Sequence, residues 1–350
     1  MKPSDIIRDS MRLLVIHAWM KGNLGDVLQL TVLLTALREL RPRVLDLAGF
    51  PASPPGALSG VLALTDRFIA DPFAWHWKYI PGRVLAVSLE PRWKAQRRAL
   101  FSRYDAIISA PGPFLAEYDR RAPSALADIA TATELGRLVI LASHSIGPLS
   151  PAALRIVARA STRISREPWT HAYLEAHDID SLSSADLAFL YPFERDLGPP
   201  PLEPPYRVLF LRSNNLRTRA LRVIDGGLFD GRREIAPSSP LRLVLATSDR
   251  RRDHQFIAST ARHLRVPSVI CDSVPEMVQL VAGASEVVSD RYHPAICSAV
   301  LGKPTRVLPN REPHKMSGLS ALLDGRPVDE LQKAARAGVS ALQAALRAVA

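Results

Sequence analysis

The chain has 350 residues, 47% of them hydrophobic, with 45 Lys+Arg against 34 Asp+Glu and a formal net charge of +11. That apolar content can fill more than one core, and two cysteines with no CxxC pair exclude a disulfide framework or a thiolate metal site. The basic residues are scattered outside short runs such as SDRRRDH (248–254) and no aromatic stripe interleaves them, so the charge reads as an arginine-rich surface and no nucleic-acid partner is expected.

The start of the chain carries Asp5 and Asp9 and only a short apolar run, which argues against a signal peptide. No stretch approaches the roughly 18 uninterrupted apolar residues of a spanning helix. A cytoplasmic protein is expected, with peripheral contact at the inner face of the membrane as its nearest approach to lipid.

LLVIHAW (13–19) reads as a buried strand, and GDVLQLTVLLTALREL (25–40) as a helix apolar on most of its circumference, hence covered on more than one side. Between them lies GNLGD (22–26). Its glycines allow a tight turn and a close approach to backbone, while Asp26 suits a helix N-terminus. RVLDLAGF (43–50), RVLAVSLE (83–90), YDAIISAP (104–111) and GRLVILASH (136–144) repeat the pattern of a short strand ending in small or turn residues. Strands of this kind separated by helices predict a parallel sheet covered on both faces. DPFAWHWKYIPGR (71–83) carries Trp75, Trp77 and Tyr79, whose flat faces suit a sugar contact as well as packing in a lid. SAPGPF (109–114) and ASHSIGPLSP (142–151) are read as strand-end loops at one sheet edge. Gly112 and Ser145 join Asn23, Gly25 and Asp26 as candidate substrate contacts there. His144 in the same stretch is read as a structural histidine.

Prolines crowd YPFERDLGPPPLEPPYR (191–207), which therefore predicts a linker. The alternation then restarts through strands at 207–215, 241–249, 266–272, 286–290 and 305–309, with helices at 254–264, 275–284 and 294–302. An amphipathic helix closes the chain. The expected architecture is α/β: two doubly wound, Rossmann-like domains facing a cleft. The limits are 1–195 for the first domain, 196–206 for the linker, 207–325 for the second domain and 326–350 for the final helix.

Two stretches of the second domain carry candidate chemistry. VLFLRSNN ends a strand in Arg212, placed to fork onto a carboxylate or phosphate. SDRYHPAICSAVLGKP (289–304) sets Arg291 and His293 before a helix whose first position is given to Pro294, with His293 at or just before the N-cap and both side chains on one side of an extended segment. Together with the helix N–H groups they would form an anion site beside a titratable group. The plain alternative is that His293 caps the helix and Arg291 pairs with Asp290.

At this point the order of segments resembles the polysaccharide pyruvyl transferase family. The matching stretches are GNLGD, HSIGPLSP, ISREPWTHAYLEAHDI with SADLAFLYP, and VPEMVQLVAGASEVVSDRYHPAICSAVLGKP. HKMSGL (314–319) adds a lysine, Lys315, near the family's usual place. The resemblance spans roughly 12–325 and implies a GT-B-like fold. It also implies transfer of the carboxyvinyl unit of phosphoenolpyruvate onto two sugar hydroxyls of an exopolysaccharide, cell-wall glycan or lipid-linked oligosaccharide, with release of phosphate. The family's Arg-x-His pair falls on Arg291 and His293 as catalytic residues, and its donor-binding arginine on Arg212. No cofactor beyond the donor substrate and no metal is expected. The chain departs from the family where Pro111 and Pro113 replace part of a glycine run, which bears on the acceptor side. Two alternatives stand beside this reading. A GT-B glycosyltransferase would grip a nucleotide sugar's ribose through a carboxylate, with Glu276 as candidate; a catalytically inactive sibling would bind glycan only.

Overall fold

The computed structural model of the chain describes residues 11–18, 23–49, 55–70, 93–213, 221–225, 227–230, 233–308 and 313–349. The expected strand at 83–90 and the aromatic residues Trp75, Trp77 and Tyr79 lie outside the described residues.

The first half contains β1 (Arg12–Ala18), β2 (Val44–Gly49), β3 (Arg67–Ala70), β4 (Ala106–Ser109), β5 (Gly112–Leu115), β6 (Leu138–Ile146), β7 (Thr162–Ser165) and β8 (Leu182–Ser183). They form a parallel sheet in the order β3-β2-β1-β4-β6-β7-β8, with β5 beside β6. Period-two alternation sends Leu13 and Val15 of β1 to one apolar cluster and Leu14 and Ile16 to another, so the sheet is buried on both faces. The second half repeats the scheme with β9 (Tyr206–Phe210), β13 (Arg242–Thr247), β14 (Ser268–Ile270), β15 (Glu286–Ser289) and β16 (Thr305–Val307), parallel in the order β14-β13-β9-β15-β16. Between β9 and β13 the chain makes an antiparallel meander, β10 (Leu221–Ile224), β11 (Gly227–Asp230) and β12 (Arg233–Ala236). The doubly wound expectation did not contain it, although DGG and DG at 225–227 and 230–231 are hairpin signals. In both parallel sheets the order reverses at the central strand, β1 and β9, which is where doubly wound folds hold ligands.

One apolar cluster runs through both halves. It takes Val208 and Phe210 from β9 and Val244 from β13 as well as Leu13 and Val15 from β1. The helix Leu24–Arg38 lies in this shared core: eleven of its fifteen residues are buried, which is why its sequence shows no polar face. Each fully buried leucine there contributes about 1.5–3 kcal/mol, so the two halves are held by a core rather than by a hinge alone. The chain crosses at 197–205 and later returns. The C-terminal helix Val328–Arg347 packs on the first half, where Ser184 Oγ donates to the Ala334 carbonyl at 3.0 Å and Gln343 Nε2 to that of Ala36 at 2.9 Å. Gly338 is needed for this approach, since a Cβ there would lie 2.4 Å from Ser184 Oγ. Among the described residues no helix is long and apolar enough to cross a membrane.

Candidate functional site

The halves meet at the turn that opens the first helix. Leu24 N–H donates to the Ser248 carbonyl at 3.0 Å, and Asn23 forms an isolated antiparallel bridge with Asp249. Asn23, not Asp26, is the helix cap: its Oδ1 accepts from Gly25 N–H at 3.2 Å, and its Nδ2 donates to Asp26 at 3.0 Å. An asparagine in extended backbone presents its carbonyl to the first free N–H groups, whereas Asp26 already lies inside the first turn. Gly25 admits a side chain of the opposite half. A Cβ at this position would lie 1.7 Å from Nδ1 of His293. The close approach that the GNLGD turn allows is thus to an imidazole.

The segment around His293 differs locally from its reading in sequence. The helix runs Tyr292–Val300 with Arg291 as N-cap, so His293 and Pro294 fall inside the first turn. Proline is tolerated there because the N–H it lacks would have no partner within the helix. The helical turn at once separates the two candidate side chains instead of leaving them on one side. Arg291 is buried and reaches Asp249 Oδ2 at 3.4 Å, and it also contacts Asp253. Asp290, the partner expected for it, accepts instead from the backbone N–H of Arg212 at 3.1 Å. Burial, with the neighbouring Arg212 and Arg252, outweighs Asp249 and pushes the Arg291 guanidinium down to about 9. His293 is buried beside Tyr292, with Nε2 3.8 Å from Oδ2 of Asp186.

Asp186 belongs to the first half. Its Oδ1 accepts from Ala188 N–H at 2.8 Å and caps a short 3₁₀ turn, Leu187–Leu190. Its Oδ2 accepts from Arg166 Nη1 at 2.9 Å and from Gln29 Nε2. Burial alone would raise this carboxyl; the hydrogen-bonding capacity of His293 and the charge of Arg166 overcome it and hold the group well below the usual carboxylate range. Arg166 is held in turn by Glu167 at 2.8 Å and by Ser145 Oγ at 2.6 Å, and it stacks on the ring of Tyr292 at 4.6 Å. Ser145 therefore sits three contacts from His293, behind Arg166 and Asp186. Among the described residues His293 Nε2, Arg291 Nε, Arg166 Nη2 and Gln29 Oε1 are buried without a hydrogen-bond partner. Each such buried atom calls for an explanation, and these four come together at the seam.

A second polar cluster lies at the carboxyl edge of the first sheet. His17 Nδ1 and His144 Nε2 meet Ser109 Oγ at 2.8 and 2.9 Å, and His17 Nε2 lies 3.2 Å from Asp128, which pairs with Arg97 at 3.1 Å. His144 Nδ1 donates to the Gly112 carbonyl at 3.2 Å. Burial, helped by the charge of His17, pushes His144 down to about 3, so its Nε2 is bare and accepts from Ser109. Ser109 must then accept from His17 Nδ1. The SAPGPF stretch is not an open loop, because Gly112–Leu115 forms β5 along β6. Its backbone and Phe114 line a cleft with His17, Asp26 and Arg121.

The structure brings Asn23, Gly25, Arg291 and His293 together at the seam, with Arg212 next to Arg291 and Ser145 behind it. Asp26 and Gly112 belong to the first-half cleft. Lys315 falls in the helix Pro313–Gly325, and its side chain is outside the described part. Glu276 lies in the first turn of the helix Val274–Gly283, and its carboxylate accepts from Asp272 N–H at 2.8 Å. Residue reading did not single out Asp186, Arg166, Gln29, Asp249 and Asp253. The signal available was a charged residue closing an apolar stretch, as in VLATSD, where burial forces a partner.

The family model for polysaccharide pyruvyl transferase matches residues 23–312. No curated protein matches the sequence. Among solved structures, a putative UDP-N-acetylglucosamine 2-epimerase from Listeria monocytogenes is similar, with 11% identity, 97% of this chain and 90% of that chain covered, and a TM-score of 0.55. A UDP-GlcNAc 2-epimerase from Neisseria meningitidis follows with 10% identity, 96% and 99% coverage and a TM-score of 0.52. A glycosyltransferase from Rickettsia africae gives 12%, 97% and 96%, and 0.51. At these identities the likeness concerns fold alone, and the fold is the two-domain GT-B arrangement.

Proposed function

The chain belongs to the polysaccharide pyruvyl transferase family, and from that premise we propose that it transfers the carboxyvinyl group of phosphoenolpyruvate. The acceptor is a sugar of an exopolysaccharide, cell-wall glycan or lipid-linked oligosaccharide, modified in the cytoplasm at the inner face of the membrane. The methylene carbon takes a proton, one sugar hydroxyl attacks the central carbon, phosphate leaves, and a neighbouring hydroxyl closes the ketal. Of the two hydroxyl protons, one ends on the new methyl group and one leaves with phosphate.

The observation that carries the reading is the condition of Arg291. Its guanidinium is buried at the seam against Asp249 and Asp253, its Nε has no hydrogen-bond partner among the described residues, and Arg212 and Arg252 stand beside it. A small dianion brought to such a place is stabilised by all three arginines. His293, on the next turn of backbone, is the acid/base group, a role worth on the order of 10²–10⁴ in rate. The acceptor approaches, in this reading, from the first half, on the side of Gly112 and Asp26.

Thermal unfolding with and without ligand tests the donor: phosphoenolpyruvate is expected to raise the midpoint, and UDP- or GDP-sugars to leave it unchanged. The opposite preference would hand the site to nucleotide-sugar chemistry, and indifference to every donor would indicate a glycan-binding protein. Phosphate release from phosphoenolpyruvate over a panel of glycans then identifies the acceptor.

A further inference from the structure

The His293 imidazole belongs to one half of the molecule, and everything that fixes its orientation belongs to the other. On one edge the ring meets the bare α-carbon of Gly25, where an added Cβ would lie 1.7, 2.4 and 2.5 Å from Nδ1, Cγ and Cε1. On the opposite edge Nε2 faces Asp186 Oδ2 at 3.8 Å. That carboxylate cannot swing away. One oxygen is spent on the cap of the 3₁₀ turn, and the other is held by Arg166, itself fully buried, and by Gln29 from the helix that also supplies Gly25. Nε2 itself is buried and has no hydrogen-bond partner among the described residues, and the carboxylate it faces is that of Asp186.

We propose that Asp186 is the positioning residue for His293 across the seam: it keeps the imidazole proton on Nε2 and so leaves Nδ1, the nitrogen seated against the α-carbon of Gly25, without one. A carboxylate sets the tautomer of a neighbouring histidine by the hydrogen it attracts. Here the carboxylate and the imidazole come from different halves, so the tautomer is fixed only when the seam between Asn23–Leu24 and Ser248–Asp249 is closed. The catalytic consequence rests on His293 being the acid/base group of the proposed reaction. The tautomer does not.

Two measurements separate these. In full-length protein with ¹⁵N-labelled histidine, the ring of His293 is expected to show one dominant tautomer with the proton on Nε2 at neutral pH, and Asp186→Asn to shift it to a mixture. An unchanged tautomer in Asp186→Asn would overturn the proposal. Should that variant fold poorly, Gly25→Ala tests the same slot from the other edge with the Asp186 ion pairs intact: it must displace the ring and disturb the same signal, and an undisturbed spectrum would again overturn it. The second measurement is phosphate release from phosphoenolpyruvate. Asp186→Asn is expected to lower kcat about 10- to 100-fold with KM little changed, and to cost nothing further once His293→Ala is present, since a residue acting through His293 has no other route. Equal losses in the two backgrounds would make Asp186 a structural residue and overturn the proposal. A tautomer change without phosphate release for any glycan would leave Asp186 as the partner of His293 and reject the donor instead.

Discussion

His17 and His293 are each buried near the carboxyl end of a strand, each facing an aspartate that an arginine also holds. Asp128 lies 3.2 Å from His17 Nε2 and pairs with Arg97; Asp186 lies 3.8 Å from His293 Nε2 and pairs with Arg166. The difference is in what meets the remaining ring nitrogen. For His17 it is Ser109, which His144 satisfies from the other side, and all these groups come from the first half. For His293 it is the backbone of Gly25, in the other half, and among the described residues its Nε2 has no hydrogen-bond partner. A network in which every ring nitrogen is answered rigidifies a fold. One left incomplete at a seam between two sheets is in position for a ligand. The same three residue types therefore serve as scaffold in one place and as a candidate active site in the other.

The most severe way to break this comparison is to remove the seam imidazole. His293→Ala is expected to lower phosphate release from phosphoenolpyruvate by about 10²–10⁴ while the donor still raises the unfolding midpoint. Normal turnover in that variant would make the seam a second scaffold. Next in size is Asp128→Ala, which leaves His17 and Arg97 buried without their carboxylate. Chemical denaturation should show a loss of about 3–5 kcal/mol, with turnover per folded molecule unchanged. A loss of turnover without a loss of stability would reverse the assignment of the two clusters.

The scaffold cluster also sets a pH dependence. The folded His144 ring takes a proton only near pH 3, whereas in the unfolded chain it does so near its ordinary 6.5. Between these values the unfolded chain binds more protons, so this group's stabilisation is present above pH 6.5 and drains away as pH falls, by about 1.4 kcal/mol per unit. His144→Gln should flatten that slope in urea titrations run between pH 6.5 and 4. A slope that survives the substitution would place the acid sensitivity elsewhere.

How much of this was legible in sequence follows the same division. The parallel strands and the linker came from apolar runs and prolines, because burial on two faces leaves a continuous hydrophobic signature, and the GT-B arrangement came from the family resemblance. The meander at 221–236 did not, because its strand β10 leaves apolar Val223 and Ile224 exposed, so its composition does not report its burial. Arg291 and His293 stood out through their place before a helix and through the family resemblance. Asp186 and Arg166 were visible only inside quoted stretches, since nothing in SADLAF says that the aspartate will face a histidine 107 positions away. Gly25 was seen as permissive backbone; which group would use the space depended on how the halves pack.

Two serines give the finest test of the comparison, because each hydroxyl sits inside one cluster. Ser109→Ala strips a partner from both His17 and His144, in a site where nothing else can replace it. The expected cost is about 1–3 kcal/mol of stability, read by denaturation, with turnover unchanged. Ser145→Ala removes a hydrogen bond to Arg166 Nε at 2.6 Å, but Glu167 still holds that nitrogen at 2.8 Å, so stability should hardly move. Arg166 is what fixes Asp186, however, and a small shift there reaches the His293 ring. Turnover should fall by about tenfold, the equivalent of one hydrogen bond to a charged group. If both serines cost stability alone, Arg166 would be a structural strut and the two clusters would differ only in where they lie.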